Sequence, residues 1–221
     1  MHLTIVGATG GIGCHVVDQA LAAGHAVTAA VRNPQNVDRD VSAVAVDLAR
    51  PDPAALRSAV EGADAVLSCL GPRGRHEYGV VSTGTEAILA AMQDTGCRRI
   101  IAISGAGVST AATPARPHPP KREPGAGLYN QYFATPLARL AVGSHFVDVA
   151  KMEDLLRASG FAWTALRTPY LTNSALTGRY RTAVERNVRR GVRLSRADAA
   201  HLMLRALGER STFGRAIAAA Y

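Results

Sequence analysis

The stretch HLTIVGATGGIGCHVV, residues 2–17, decides the fold. It opens on a short apolar run with strand propensity, and residues 11 to 23 carry the apolar spacing of a helix. Between the two, GATGGIG (7–13) spaces Gly7, Gly10 and Gly13 as G-x-x-G-x-x-G. Glycine permits a tight turn and close backbone approach, and a helix start offers unpaired N–H groups and a positive dipole end. Strand, glycine turn and helix in that order predict a loop that cradles a dinucleotide pyrophosphate, with Gly7, Thr9, Gly10, Gly11, Ile12 and Gly13 around it.

Outward from this loop the chain alternates strand-like and helix-like segments. HLTIV (2–6), AVTAAV (26–31), VSAVAV (41–46), DAVLSCL (64–70), RRIIAIS (98–104) and FAWTALR (161–167) read as strands. Continuous apolar runs of this kind suit a sheet covered on both faces. Residues 11–23, 53–60, 80–94, 146–158 and 196–207 read as helices, with Asp52 before Pro53 and Ser195 before RADAAHLML as start signals. The pattern predicts an α/β, Rossmann-like doubly wound parallel sheet with helices on both faces, formed by residues 1–221 as a single domain. GAGVSTAATPARPHPPKREPGAG (105–127) fits neither element. With YNQYFATPLARL behind it, it predicts an insertion over 105–145 after the fifth strand, serving as a lid or a substrate-binding segment.

Composition narrows the function. A length of 221 residues with 48% hydrophobic content can bury one sizeable core. No apolar run reaches the roughly 18 to 20 residues that span a bilayer, and the N-terminus lacks the pattern of a signal peptide, so a cytoplasmic location and no membrane partner are expected. The net charge is +8, but all basic residues except Lys121 and Lys151 are arginines scattered along the chain, without interleaved aromatics. This pattern predicts a solvated surface that attracts a polyanionic cofactor and no nucleic-acid partner. Cys14, Cys69 and Cys97 have neither disulfide nor metal spacing, and His76, His145 and His201 have no ligand spacing, so no metal is expected.

The cofactor subtype is written at the end of the second strand. A carboxylate there suits the ribose hydroxyls of NAD, and an arginine suits the 2′-phosphate of NADP. Val31-Arg32-Asn33-Pro34 supplies an arginine and no adjacent carboxylate, which predicts NADP(H). Asp47 and Leu48 end the third strand, and Cys69, Leu70 and Gly71 end the fourth where backbone would pass the cofactor.

GATGGIG, VRNP, VDL (46–48), AKMEDLLRASGFAWTALRTPYL (150–171), LTGRYR (176–181) and SRADAAHLMLRAL (195–207) together resemble the atypical short-chain dehydrogenase/reductase superfamily. The likeness is to its NAD(P)H-binding members of the NmrA-like and flavin reductase/biliverdin reductase B type. That resemblance implies a small-molecule substrate, and Asp47 and Leu48 resemble the superfamily's adenine contact. It spans reductases, redox-neutral isomerases and non-catalytic sensors, and the expectation is an NADPH-dependent reductase of a flat or conjugated substrate. In the superfamily's standard site a serine ends the fifth strand, and a tyrosine precedes a lysine by four residues. Ser104 and Lys151 match the serine and the lysine, as substrate donor and ribose contact, while Val147 stands where the tyrosine would be. Tyr129 and Tyr132 do not have a lysine four residues on.

Tyr170, at the end of the sixth strand, is expected as a donor or as a wall of the substrate pocket. The biliverdin reductase B type carries a serine at the position of Gly105 and a histidine at that of Tyr170. Two readings of Lys151 stand. Family position favours a ribose contact, and helical periodicity, with its apolar arc through Phe146, Val149, Ala150, Met152 and Leu156, favours a solvated face beside Asp148 and Asp154. His145 reads as a surface histidine at a helix start or as a group reaching the site.

Overall fold

The computed structural model describes residues 1–72, 74, 77–125 and 135–221, with the side chains of 135–142 set aside. Tyr129, Tyr132 and His76 lie outside the described residues. The strands are β1 (His2–Val6), β2 (Ala26–Val31), β3 (Ser42–Ala45), β4 (Ala65–Ser68), β5 (Arg99–Gly105), β6 (Ala162–Thr168), β7 (Tyr170–Thr172), β8 (Arg181–Val184), β9 (Arg193–Ser195) and β10 (Arg215–Ala220). The helices are α1 (Gly13–Ala22), α2 (Pro53–Val60), α3 (Val80–Thr95), α4 (Thr135–Ala158) and α5 (Arg196–Arg205).

Eight strands form the main sheet in the order β3-β2-β1-β4-β5-β6-β10-β8, parallel except for the last pair. The order reverses between β1 and β4, and that reversal opens a crevice at the carboxyl ends of the strands. Both sheet faces are buried, as continuous apolar strands require: Leu3, Ile5, Val66, Leu67, Ile100 and Ile101 are all at 0% exposure. One core lies under α1 and α5 and includes Val16, Val17, Leu202 and Met203. The other lies under α2, α3 and α4 and includes Leu56, Ile88, Met152 and Leu156. Among the described residues no helix is long and apolar enough to cross a membrane.

Two departures from the sequence reading have physical causes. Helix α4 begins at Thr135, so residues 135–145 of the expected insertion are helical. Strands β7 to β10 were not foreseen. β10 reads RAIAAA, and alanine is a poor strand former in isolation. Its place in the sheet comes from burial, with Ala216 to Ala220 all at 4% exposure or less.

Candidate active site

The phosphate loop is built as its glycines require. Gly7 has φ +73°, and a Cβ there would stand 3.0 Å from the carbonyl oxygen of Cys69. A Cβ on Gly13 would fall 2.1 Å from the carbonyl oxygen of Gly7, so Gly13 serves the packing of helix on loop. The Gly10 N–H donates to the Gly7 carbonyl at 2.9 Å, closing the turn. Ile12 gives α1 no side-chain cap, and the first turn holds no acidic residue, so nothing negative competes with a phosphate there. Arg196, the first residue of α5, lays its side chain along this loop. A Cβ on Gly11 would come 2.9 Å from Arg196 Nε. Its Nη1 donates to Asn173 Oδ1 at 2.6 Å, which fixes the guanidinium beside the turn.

A cleft of about 1350 Å³ runs from this loop along the carboxyl edge of the sheet. Gly7, Thr9, Gly10, Gly11, Ile12, Arg32, Asp47, Leu48, Cys69, Leu70 and Gly71 line one stretch of it, and Ser104, Gly105, Thr168, Tyr170, Glu123, His145 and Asn187 line the other. Gly13 does not line it. An uncapped helix start, a glycine turn and two arginines on one elongated cleft fit a dinucleotide with a polyphosphate centre.

At the end beside β2, Arg32 Nη1 donates to Glu77 Oε1 at 2.6 Å. Read along the chain, Arg32 has no carboxylate beside it. In space the segment before α3 supplies one, and a 2′-phosphate would have to take Arg32 from it. Asp47 accepts from the Ala49 N–H at 3.1 Å, which turns the chain at the end of the cleft. Burial pushes the Cys69 thiol up to about 12, so it is a wall and not a nucleophile.

At the end beside β5 and β6, Ser104 borders the cleft as expected and Lys151 does not. Lys151 is exposed and does not line the cleft. It follows Val149 by two positions, about 200° around the helix, while His145, Phe146 and Val149 face the cleft. The residues of α4 four positions apart that line the cleft are therefore His145 and Val149. Asp148 does not pair with Lys151 either. It accepts from the N–H groups of Gly79, Val81 and Ser82 at 2.9 to 3.1 Å and caps α3 from the neighbouring helix. Asp154 binds Thr113 Oγ1 and lies 3.8 Å from Arg116.

Ser104 borders the cleft but is only 4% exposed, and its hydroxyl donates to Glu153 Oε1 at 2.7 Å. Arg167 donates to the same carboxylate through Nε at 2.8 Å and Nη2 at 2.6 Å. Burial pushes the Glu153 carboxyl up, but Arg167, Ser104 and Arg157 outweigh it and hold the group below the ordinary range. Ser104 is thus part of a buried brace between β5, β6 and α4. Tyr170 is 76% exposed and lines the cleft as an open wall.

Glu123, Asn187 and Arg196 escaped the sequence reading. Glu123 is a lone carboxylate in a proline-rich stretch, and Asn187 lies in the arginine-rich loop before β9; neither has a spacing that marks it. Arg196 carried a faint signal as the residue following the cap Ser195. Glu123 is 7% exposed, and burial raises its carboxyl despite the opposing effects of Asn187, Arg167, the Gly107 N–H and Ser109. Burial lowers the His145 imidazole, which stacks on Tyr78 with ring centroids 6.1 Å apart.

Comparison with known proteins agrees with this geometry. The fold is shared with a Burkholderia pseudomallei protein described as exported, at TM-score 0.76 and 25% identity over all of both chains. A Veillonella parvula short-chain dehydrogenase/reductase solved with NADP matches at TM-score 0.75 and 20% identity, over 100% of this chain and 94% of that one. A Streptococcus pneumoniae protein described as a candidate NADH-flavin reductase matches at TM-score 0.72 and 22% identity, over 100% and 99%. An uncharacterized Mycobacterium tuberculosis protein is 33% identical over 102 residues, 46% of this chain. The chain spans only 12% of that relative's length. The family model described as NAD(P)H-binding matches residues 7–210, and the chain belongs to that NAD(P)H-binding family.

Proposed function

We propose that the protein is an NADPH-dependent reductase of a small flat or conjugated substrate, such as a flavin, a quinone or a polyketide-like carbonyl compound. The observation that carries the reading is the single cleft joining the phosphate loop to buried titratable side chains at the β5 and β6 ends. In this reading Gly7, Thr9, Gly10, Gly11 and Ile12 hold the pyrophosphate with Arg196 beside them. Arg32 takes the 2′-phosphate, Asp47 and Leu48 border the adenine, and Cys69, Leu70 and Gly71 shape the floor. The bound reduced nicotinamide supplies a hydride, and Tyr170 walls the substrate. The purified protein is expected to oxidise NADPH in preference to NADH with at least one member of a panel of flavin mononucleotide, menadione and aromatic ketones. Tight NADPH binding with no oxidation across the panel would overturn it.

A second reading, a cofactor-binding sensor, draws on the Ser104 hydroxyl committed to Glu153 and on Lys151 lying outside the cleft lining. It predicts that NADPH is bound but not consumed, and that its occupancy changes affinity for a macromolecular partner.

A further inference from the structure

Glu123 and Asn187 form a built pair inside the cleft that none of the cofactor contacts explains. Asn187 Nδ2 donates to Glu123 Oε2 at 2.6 Å, and Ser109 Oγ donates to Glu123 Oε1 at 3.2 Å. The backbone locks the two together: the Asn187 N–H donates to the Pro124 carbonyl at 2.8 Å. Gly125 follows with φ +78°, and a Cβ there would stand 2.4 Å from the Asn187 carbonyl oxygen, so only glycine fits. Asn187 is 8% exposed, and among the described residues its Oδ1 has no partner although the side chain lines the cleft. A buried acceptor without a partner is unfavourable unless something binds it.

The surrounding charges leave Glu123 short of a counterion. Arg167 is the cation acting on it, and both of its bonding nitrogens serve Glu153. Glu185 also draws on Arg167, and His145 on the far wall has its imidazole held toward the neutral form. The pair lies beside the ends of β5 and β6, the half of the cleft away from the adenosine subsite.

Resting on the reductase reading, we infer that Glu123, held by Ser109 and Asn187, delivers the proton to the substrate, and that Asn187 binds the substrate's polar edge. The substrate gains a hydride from the reduced nicotinamide at its electrophilic atom and a proton from the Glu123 carboxyl at its oxygen or nitrogen. A C=O thereby becomes CH–OH, or a quinone a hydroquinone. NADP⁺ and the Glu123 carboxylate remain, and the carboxylate regains its proton from water. The substrate class is a carbonyl or conjugated imine compound with a hydrogen-bond donor within reach of Asn187 Oδ1.

The test uses full-length protein with flavin mononucleotide, whose ring N3–H can meet Asn187 Oδ1, as probe, and menadione, which has no such donor, as second acceptor. Glu123→Gln is expected to lower kcat by about a hundredfold or more, the usual share of a general acid, while leaving NADPH affinity unchanged by fluorescence titration. Wild-type kcat/KM should fall on the alkaline side of one apparent pKa, and Asn187→Asp, which sets a second carboxylate against Glu123, should move that limb to higher pH. Equal rates and superimposable profiles for wild type and Glu123→Gln would overturn the assignment. Infrared titration reads the group without turnover: a carboxyl C=O band persisting to higher pH than the other carboxyls, and missing from Glu123→Gln, is expected. Its absence in wild type sinks the Glu123 role even if NADPH is oxidised. Failure of both acceptors with the band present counts against the reductase reading instead.

Discussion

In the proposed function Arg32 would carry the cofactor preference, and its partner Glu77 makes that proposal testable in two directions. Arg32→Asp is expected to abolish the preference for NADPH over NADH, read as the ratio of dissociation constants. Glu77→Gln removes a carboxylate that would repel a 2′-phosphate, so it is expected to tighten NADPH binding more than NADH binding. A Glu77→Gln protein with an unchanged ratio would show that Arg32 does not meet the phosphate. Lys151 gives the converse test. It lies on the exposed side of α4, so Lys151→Ala should leave NADPH affinity and turnover unaltered. The glycine loop was legible in the sequence because its chemistry is local, within one turn of chain. The role of Lys151 was not legible because a ribose contact depends on which face of a helix meets the cleft, and a shift of two residues reverses that face. Glu123 and Asn187 were invisible because residues 64 positions apart become partners only through the fold.

At the level of elements, α4 acts as a brace as well as a wall. Its Asp148 caps α3, and its Glu153 ties β5 to β6 through Ser104 and Arg167. Asp148→Ala is expected to destabilise the protein by about 1–2 kcal/mol, as loss of a helix cap does, measured by denaturant unfolding. Glu153→Gln leaves Arg167 buried with its partner's charge gone, and breaking such a buried pair costs about 3–5 kcal/mol. Glu153 and Glu123, both buried, also titrate with opposite consequences. The Glu153 carboxyl is lowered in the fold, so its stabilisation is present above the ordinary carboxylate range and is lost as pH falls through the lowered value. The Glu123 carboxyl is raised, so stability is lost as pH rises from the ordinary range through the raised value. Thermal unfolding against pH should therefore show Glu123→Gln gaining on wild type as pH rises, and a pH-independent difference would contradict the burial argument. The six principal strands and the helices were readable from apolar periodicity. The start of α4 and strand β10 were not, because alanine-rich segments take their state from what covers them.

Across the whole molecule, the reversal of strand order between β1 and β4 explains why one cleft gathers residues from β1, β2, β4, β5, β6 and the loop before β9. The fold class was legible because each βα unit announces itself locally and parallel crossovers have one hand. The chemistry at the β5 and β6 end was less legible, because its groups come from the insertion and from the loop before β9. The net charge of +8 bears on the same cleft, where Arg32, Arg193 and Arg196 line the wall and would meet a polyanionic cofactor. NADPH affinity should weaken as salt is raised, and a salt-independent dissociation constant would remove charge from the explanation. The most direct test of the central claim is anaerobic oxidation of NADPH carrying deuterium at C4, with flavin mononucleotide and then menadione as acceptors. Hydride transfer in this cleft predicts loss of the reduced-nicotinamide absorbance, faster with NADPH than NADH and slowed by deuterium in the transferred position. NADPH that binds and is never oxidised by any acceptor in the panel would contradict it.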